Sequence, residues 1–264
     1  MDSFRKVAVG RRITVLFRSV IGDSFYRNST YLLMNMGVAT TTGFFFVIVC
    51  AHFYSQADFG YATSLLGALG VATAFSNIGM NQTLVRFMGK SENQSQDLAT
   101  GILIVSGFAM LSGIVLSLFF SSFGIKHTDS LVIIIFIVTV FLMSIKTLFD
   151  NVFIAIRQSS GTLIENSIFN FVRLLFPILV IGSGYIGIFS AQLAAVIFAL
   201  AASIIVLKRY HGFSFLVKPS KTSMTGKWRF ALGSYTSELT GGLPSSVLPI
   251  IVVARLGPVA GALW

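Results

Sequence analysis

Residues 131–151 read LVIIIFIVTVFLMSIKTLFDN. Positions 131–145 hold no charged residue, and then Lys146 and Asp150 follow, four residues apart. A buried strand ends after about four to eight residues. A run this long, with its flanks, can cross the roughly 30 Å hydrocarbon core of a bilayer, which takes about 20 helical residues. The reading holds if the stretch has company, and it does. Apolar stretches cover roughly 30–51, 60–85, 99–123, 130–154, 163–183, 185–207 and 230–254. They show no period-two alternation, which argues against a transmembrane β-barrel. The expected fold class is therefore all-α: a polytopic transmembrane helix bundle of about seven spans.

Composition points the same way. The chain has 264 residues, 55% of them hydrophobic and 11% charged. A soluble domain carries about 25% charged residues, so this chain has too little polar surface to cover a water-soluble core. The single cysteine, Cys50, excludes an internal disulfide and a cysteine-based zinc site. His52, His127 and His211 stand apart, without metal-ligand spacing. No catalytic motif or phosphate-binding loop occurs, so neither an enzyme nor a cofactor is expected.

The formal net charge is +10, which in a soluble protein would suggest nucleic acid. Here its distribution follows the membrane. Arg5, Lys6, Arg11, Arg12, Arg18 and Arg27 precede the first span; Arg86 and Lys90 follow the second; Arg157 follows the fourth. Lys208, Arg209, Lys218, Lys221, Lys227 and Arg229 precede the seventh. With alternating helices these fifteen residues share one side, and only Lys126 and Arg255 lie opposite. Basic residues mark the cytoplasmic side, so the N-terminus is expected inside and no nucleic-acid partner is needed. The first span follows a long basic segment and lacks a small-x-small cleavage site, so it reads as an uncleaved helix. Segment 4–18 mixes arginines with apolar residues and reads equally as an interfacial amphipathic helix or a solvated tail. The expected organisation is a basic N-terminal segment (1–29), a six-helix bundle (30–207), a basic cytoplasmic loop (208–229) and a seventh helix opening an incomplete second half (230–264).

Lys146 and Arg173 fall inside spans. A charge near mid-membrane costs about 2.5–3.5 kcal/mol on insertion scales, so such residues face a protein interior or a hydrated cavity. Thr139, Lys146, Asp150 and Arg157 fall within about 40° on a helix, and Lys146 and Asp150 can pair. Asn166, Asn170, Arg173 and Pro177 form a second stripe, and Ser234, Glu238, Ser245 and Pro249 a third. Asn28, Asn35 and Thr42, and Thr73, Asn77 and Asn81, add weaker ones. Two readings stand: the stripes line a hydrated interior, or they only bond neighbouring helices. The candidates for a substrate cavity are Lys146, Asp150, Arg173, Glu238 and Asn170. In GSYTSELTGGLPSSVLP (233–249) two prolines and a Gly-Gly pair invite a kink or a break.

The stretch FYSQADFGYATSLLGALGVATAFSNIGMNQTLVRF (53–87) resembles the first outer loop and second helix of the polysaccharide biosynthesis proteins. These include O-antigen-type flippases of the multidrug/oligosaccharidyl-lipid/polysaccharide (MOP) exporter superfamily. The resemblance rests on Asp58-Phe59-Gly60-Tyr61, then Asn77-Ile78-Gly79 and Arg86, with hydropathy that fits nearly the whole chain. It implies a transporter of a lipid-linked (undecaprenyl-diphosphate) oligosaccharide in a bacterial cytoplasmic membrane. The partners implied are membrane lipids, a coupling ion (H+ or Na+) and glycan-assembly proteins. Such proteins have about twelve to fourteen helices in two related halves, so the chain is expected to be a first half plus one helix. LGPVAGA (256–262) aligns with SQADFGY (55–61), setting Gly261 under Gly60. Competing readings are a drug/cation antiporter of the same superfamily using Asp150 and Glu238, an integral-membrane glycan polymerase or ligase, and a non-functional truncated flippase.

Overall fold

A computed structural model describes residues 24–121, 129–215, 217–220 and 224–263. Segment 4–18 and Lys126 lie outside the described residues. The helices are α1 (Ser24–Phe53), α2 (Gln56–Asn77), α3 (Met80–Phe87), α4 (Gln94–Ser117), α5 (Ser130–Ala155), α6 (Ser159–Leu179), α7 (Gly184–His211), α8 (Trp228–Leu256) and α9 (Pro258–Leu263). No strand occurs among the described residues. All but α3 and α9 are long and apolar enough to cross a membrane, which gives seven candidate spans. The chain is a multi-pass membrane protein.

The second span departs from expectation. The sequence suggests one helix over 60–85, but the structure breaks it after Asn77. Ile78 and Gly79 both take left-handed backbone conformations, at φ 40° and 66°. A Cβ at Gly79 would collide with the Ala231 carbonyl of α8. Glycine there satisfies both the positive φ and the close approach, and α3 leaves on a new axis. In the seventh span the sequence invites a kink or a break, and of these the break does not occur. Despite Pro244 and Pro249, α8 runs unbroken from Trp228 to Leu256.

Helix α2 is the hub. Two thirds of its apolar window is buried, against about a tenth for α1 and α8. It packs on α4, α5, α7, α8 and α9, while α1 leans mainly on α6. Close approach of α2 and α8 depends on small residues: a Cβ at Gly67 would lie 2.6 Å from the Ser246 carbonyl oxygen. Small residues let membrane helices approach where the hydrophobic effect gives no net attraction. Leu65, Ala68, Leu69 and Ala72 of α2 join Phe136 and Val140 of α5 and Phe189 of α7 in one core cluster. Met80, Leu84, Leu98, Phe149, Phe153 and Val196 form a second, towards the basic end.

The ends are capped by specific contacts. Ser55 caps α2 by accepting the Asp58 amide, and its hydroxyl donates to Asp58 Oδ2 at 2.6 Å. Asp58 Oδ1 also accepts the Tyr185 amide in the first turn of α7 at 3.1 Å. The acidic residue of the Asp-Phe-Gly-Tyr motif thus ties the α1–α2 turn to α7. At the other end α5 closes with paired bonds, Gln158 N–H to Phe153 and Arg157 N–H to Ile154, with Arg157 left-handed at φ 57°. Asn28 of α1 then accepts the Ser159 amide at the start of α6. The loop before α8 lies across α4: the Ser220 amide donates to Thr100 Oγ1, and Lys227 pairs with Asp97 at 3.5 Å.

Candidate functional site

Two polar clusters lie inside the bundle. The first joins α5 to α6. Lys146 and Asp150 are one turn apart on α5 and share a face. Lys146 is 2% exposed, and its Nζ donates to Asp150 Oδ2 at 2.8 Å and to Asn166 Oδ1 at 2.7 Å. Asn166 Nδ2 donates back to Asp150 Oδ1 at 2.9 Å, which closes a three-residue ring. Glu165 places Oε1 3.9 Å from Lys146 Nζ, so one ammonium faces two carboxylates. The Phe169 ring lies 5.1 Å from Nζ. Asn170, one turn further along α6, donates to the Asn166 carbonyl at 2.8 Å. A buried charge is tolerated when it is paired and its remaining hydrogen-bonding capacity is met. Lys146 is paired with Asp150 and bonded to Asn166, while both carboxylate oxygens of Glu165 are buried without a hydrogen-bond partner.

The second cluster surrounds a cavity of about 420 Å³ between α2, α3, α5, α6, α7 and α8. Thr73 and Asn77 line it from α2, Asn81 from α3, Met143 from α5, Arg173 from α6, Gln192 from α7 and Glu238 from α8. The break at Ile78–Gly79 puts Asn77 and Asn81 on two different helices around one space. Leu66, Leu69 and Gly70 supply the apolar wall. A contact between Thr147 and Asn77 (3.3 Å) and one between Ser76 and Ser144 (2.6 Å) hold α2 on α5 beside it.

Arg173 differs from Lys146 in how its charge is met. The ion pairs among the described residues use Lys146 and Lys227, and none reaches Arg173. Its guanidinium lies instead over the Phe46 ring of α1, 4.3 Å from the centroid. Arg173 Nε, Asn81 Oδ1 and Gln192 Oε1 are buried without a hydrogen-bond partner. Pro177, four residues on, has no amide hydrogen and cannot bond the Arg173 carbonyl. A polar guest would therefore meet one unpaired cation, one carboxylate and several unused donors and acceptors.

The structure sorts the five candidates of the sequence into these two places. Lys146, Asp150 and Asn170 belong to the first cluster; Arg173 and Glu238 share the cavity wall. Glu165, Gln192 and Phe46 were missed. Glu165 carries a visible signal, a carboxylate inside a span. Gln192 and Phe46 carry none without knowledge of which helices meet. Among the described residues no group of histidine, cysteine, aspartate and glutamate could hold a metal ion.

Residues 25–264 match the family model described as polysaccharide biosynthesis protein. No curated protein matches the sequence. Two solved structures are similar in fold. One is a MATE protein in complex with MaD3S, with TM-score 0.58 and 13% identity. The other is a MOP superfamily transporter from Pyrococcus furiosus, with TM-score 0.59 and 15% identity, for which a reverse polarity of the binding pocket suggests a different function. Each comparison covers 92% of this chain but 64% of the other. The chain thus spans just under two thirds of the length of those proteins, and at such identities the likeness is one of fold.

Proposed function

The chain belongs to the polysaccharide biosynthesis protein family, and from that premise we propose that it acts in a membrane transporter carrying a lipid-linked oligosaccharide to the outer leaflet for cell-surface polysaccharide assembly. The observation that carries this reading is Arg173, a cation without a carboxylate partner in the wall of a polar cavity. An undecaprenyl-diphosphate head group is anionic and offers paired oxygens that a guanidinium can hold bidentately. Asn77, Asn81 and Gln192 stand where they could bond sugar hydroxyls. The lipid tail stays in the bilayer while the head crosses the cavity. Lys146 and Asp150 have a supporting role in this reading: through Asn166 they fix α5 against α6, the helix that carries Arg173, and Asn170 bonds along α6 beside them.

The setting is the bacterial cytoplasmic membrane, with the basic loops inside. A coupling ion, H+ or Na+, and glycan-assembly proteins complete the scheme. The test is surface glycan in cells that depend on this gene. Arg173→Ala should remove most of it at unchanged protein level, and Arg173→Lys should retain part. Full surface glycan in Arg173→Ala cells would reject the reading.

Glu238, in the same cavity, favours a second reading: antiport of a cationic drug. That reading requires Glu238→Gln to abolish drug resistance while surface glycan is unaffected.

A further inference from the structure

A second concavity lies elsewhere on the molecule and shares no residue with the Arg173 cavity. It is a groove of about 610 Å³ between α6 and α7, within the range of about 300–1,000 Å³ typical of ligand pockets. Its floor is apolar: Ile164 and Gly161 from α6, and Ala202, Ile205 and Val206 from α7. Ile164 and Ile205 are exposed, so the groove opens sideways to lipid. One end is polar, with Gln158, Ser160, Tyr210 and His211.

The charged residues next to that end along α5 and α7 are basic, while Glu92 lines a separate pocket on the other side of His211. Arg157 directly precedes Gln158 and is exposed. Lys208 and Arg209 directly precede Tyr210. Arg209 follows Val206 by three residues and Ile205 by four, which puts it on the groove face of α7. No acidic residue lines the groove. Arg157 holds its place at φ 57°, where a helix most often ends in glycine. Tyr210, also exposed, suits the membrane–water boundary. An apolar trough with a basic, aromatic-edged mouth is complementary to a lipid with an anionic head, and basic pockets between membrane helices bind such head groups.

We propose that this groove holds an acyl chain of an anionic bilayer phospholipid, with its phosphate at Arg157 and Arg209. The occupant is a bilayer lipid rather than transported cargo, because the groove faces outward and the wall of α6 and α7 separates it from the interior. Ile164 adjoins Glu165, so a lipid seated there backs directly onto the Lys146 cluster. Its effect is to brace α6 against α7.

The test uses purified protein exchanged into mixed micelles of phosphatidylglycerol and phosphatidylcholine, with retained lipid read by native mass spectrometry. Wild type should retain phosphatidylglycerol preferentially. Arg157→Gln and Arg209→Gln should each reduce that retention roughly fivefold. Ala202→Trp, which fills the floor, should reduce retention of either lipid, and Arg255→Gln, at an exposed basic position in the last turn of α8, should change nothing. Equal retention of the two lipids by wild type would overturn the proposal. So would unchanged retention in both arginine variants with a native elution profile, or an equal loss in Arg255→Gln. Displacement of phosphatidylglycerol by stoichiometric lipid-linked diphosphate oligosaccharide would overturn it in favour of a cargo site.

Discussion

Arg173 of α6 and Phe46 of α1 form a cation–π pair, with the guanidinium 4.3 Å from the ring centroid. This contact steadies the arginine without neutralising it, since an aromatic face offers no ionised partner. A cation held this way stays available to an anion entering the cavity. Replacing Phe46 with leucine removes an interaction of about 0.5–2 kcal/mol but leaves the charge. Surface glycan should fall in Phe46→Leu cells by less than in Arg173→Ala cells, and Phe46→Tyr should restore it. A Phe46→Leu loss as large as that of Arg173→Ala would mean the ring serves α1–α6 packing instead.

The Lys146 ring should behave as a structural unit. Removing one member of a buried pair leaves the other uncompensated, at a cost of about 3–5 kcal/mol. Lys146→Met alone should therefore lower the amount of folded protein in the membrane. Lys146→Met with Asp150→Leu should recover much of it, although Glu165 remains beside the site. Thermal unfolding in detergent, followed by fluorescence-detected gel filtration, checks the order of the three proteins.

Close packing of α8 on α2 predicts a contrast between glycines. A side chain at Gly67 must displace the Ser246 carbonyl, and Gly79 adds a positive φ to contact with Ala231. Gly67→Leu and Gly79→Ala should both reduce membrane-integrated protein, the second by roughly 1 kcal/mol or more in stability. Gly241 has no heavy atom within 4 Å of where a Cβ would stand, so Gly241→Ala should be neutral. Detergent-extractable, monodisperse protein is the readout.

Orientation is open to direct labelling. Cys50 is fully buried and can be replaced by alanine to give a cysteine-free background. Gln56→Cys, at the turn between α1 and α2, should react with an impermeant maleimide in intact cells. Glu92→Cys, at the opposite end, should react only after the membrane is opened. The reverse pattern would invert the molecule in the bilayer.

The spans were legible because a bilayer imposes one length and one polarity on every crossing helix, and hydropathy records both. The break at Ile78–Gly79 was not. Its cause is the contact of Gly79 with Ala231, some 150 residues along the chain, and only the Asn-x-Gly wording hinted at it. The prolines of α8 allowed a break that does not occur, since Pro244 and Pro249 sit in a continuous helix. At the site, the pairing of Lys146 with Asp150 was legible because it is local, four residues apart on one face. Asn166 and Glu165, which complete that cluster, come from another helix. Their meeting with Lys146 depends on how α5 and α6 rotate about their axes, which one amphipathic pattern does not determine. For the same reason Arg173 and Lys146 looked alike in sequence. Tertiary contacts distinguish them, one paired and the other without a carboxylate.

The central claim is that Arg173 meets the anionic head of the cargo, and binding tests it most directly. Wild-type protein and Arg173→Ala should be compared for affinity to a short-chain lipid-diphosphate oligosaccharide in detergent, with a neutral glycolipid as control. Loss of one charge-assisted contact of about 1.5–3 kcal/mol predicts affinity weaker by roughly tenfold to a hundredfold and no change for the neutral lipid. Equal affinity of the two proteins for the diphosphate ligand would contradict the account.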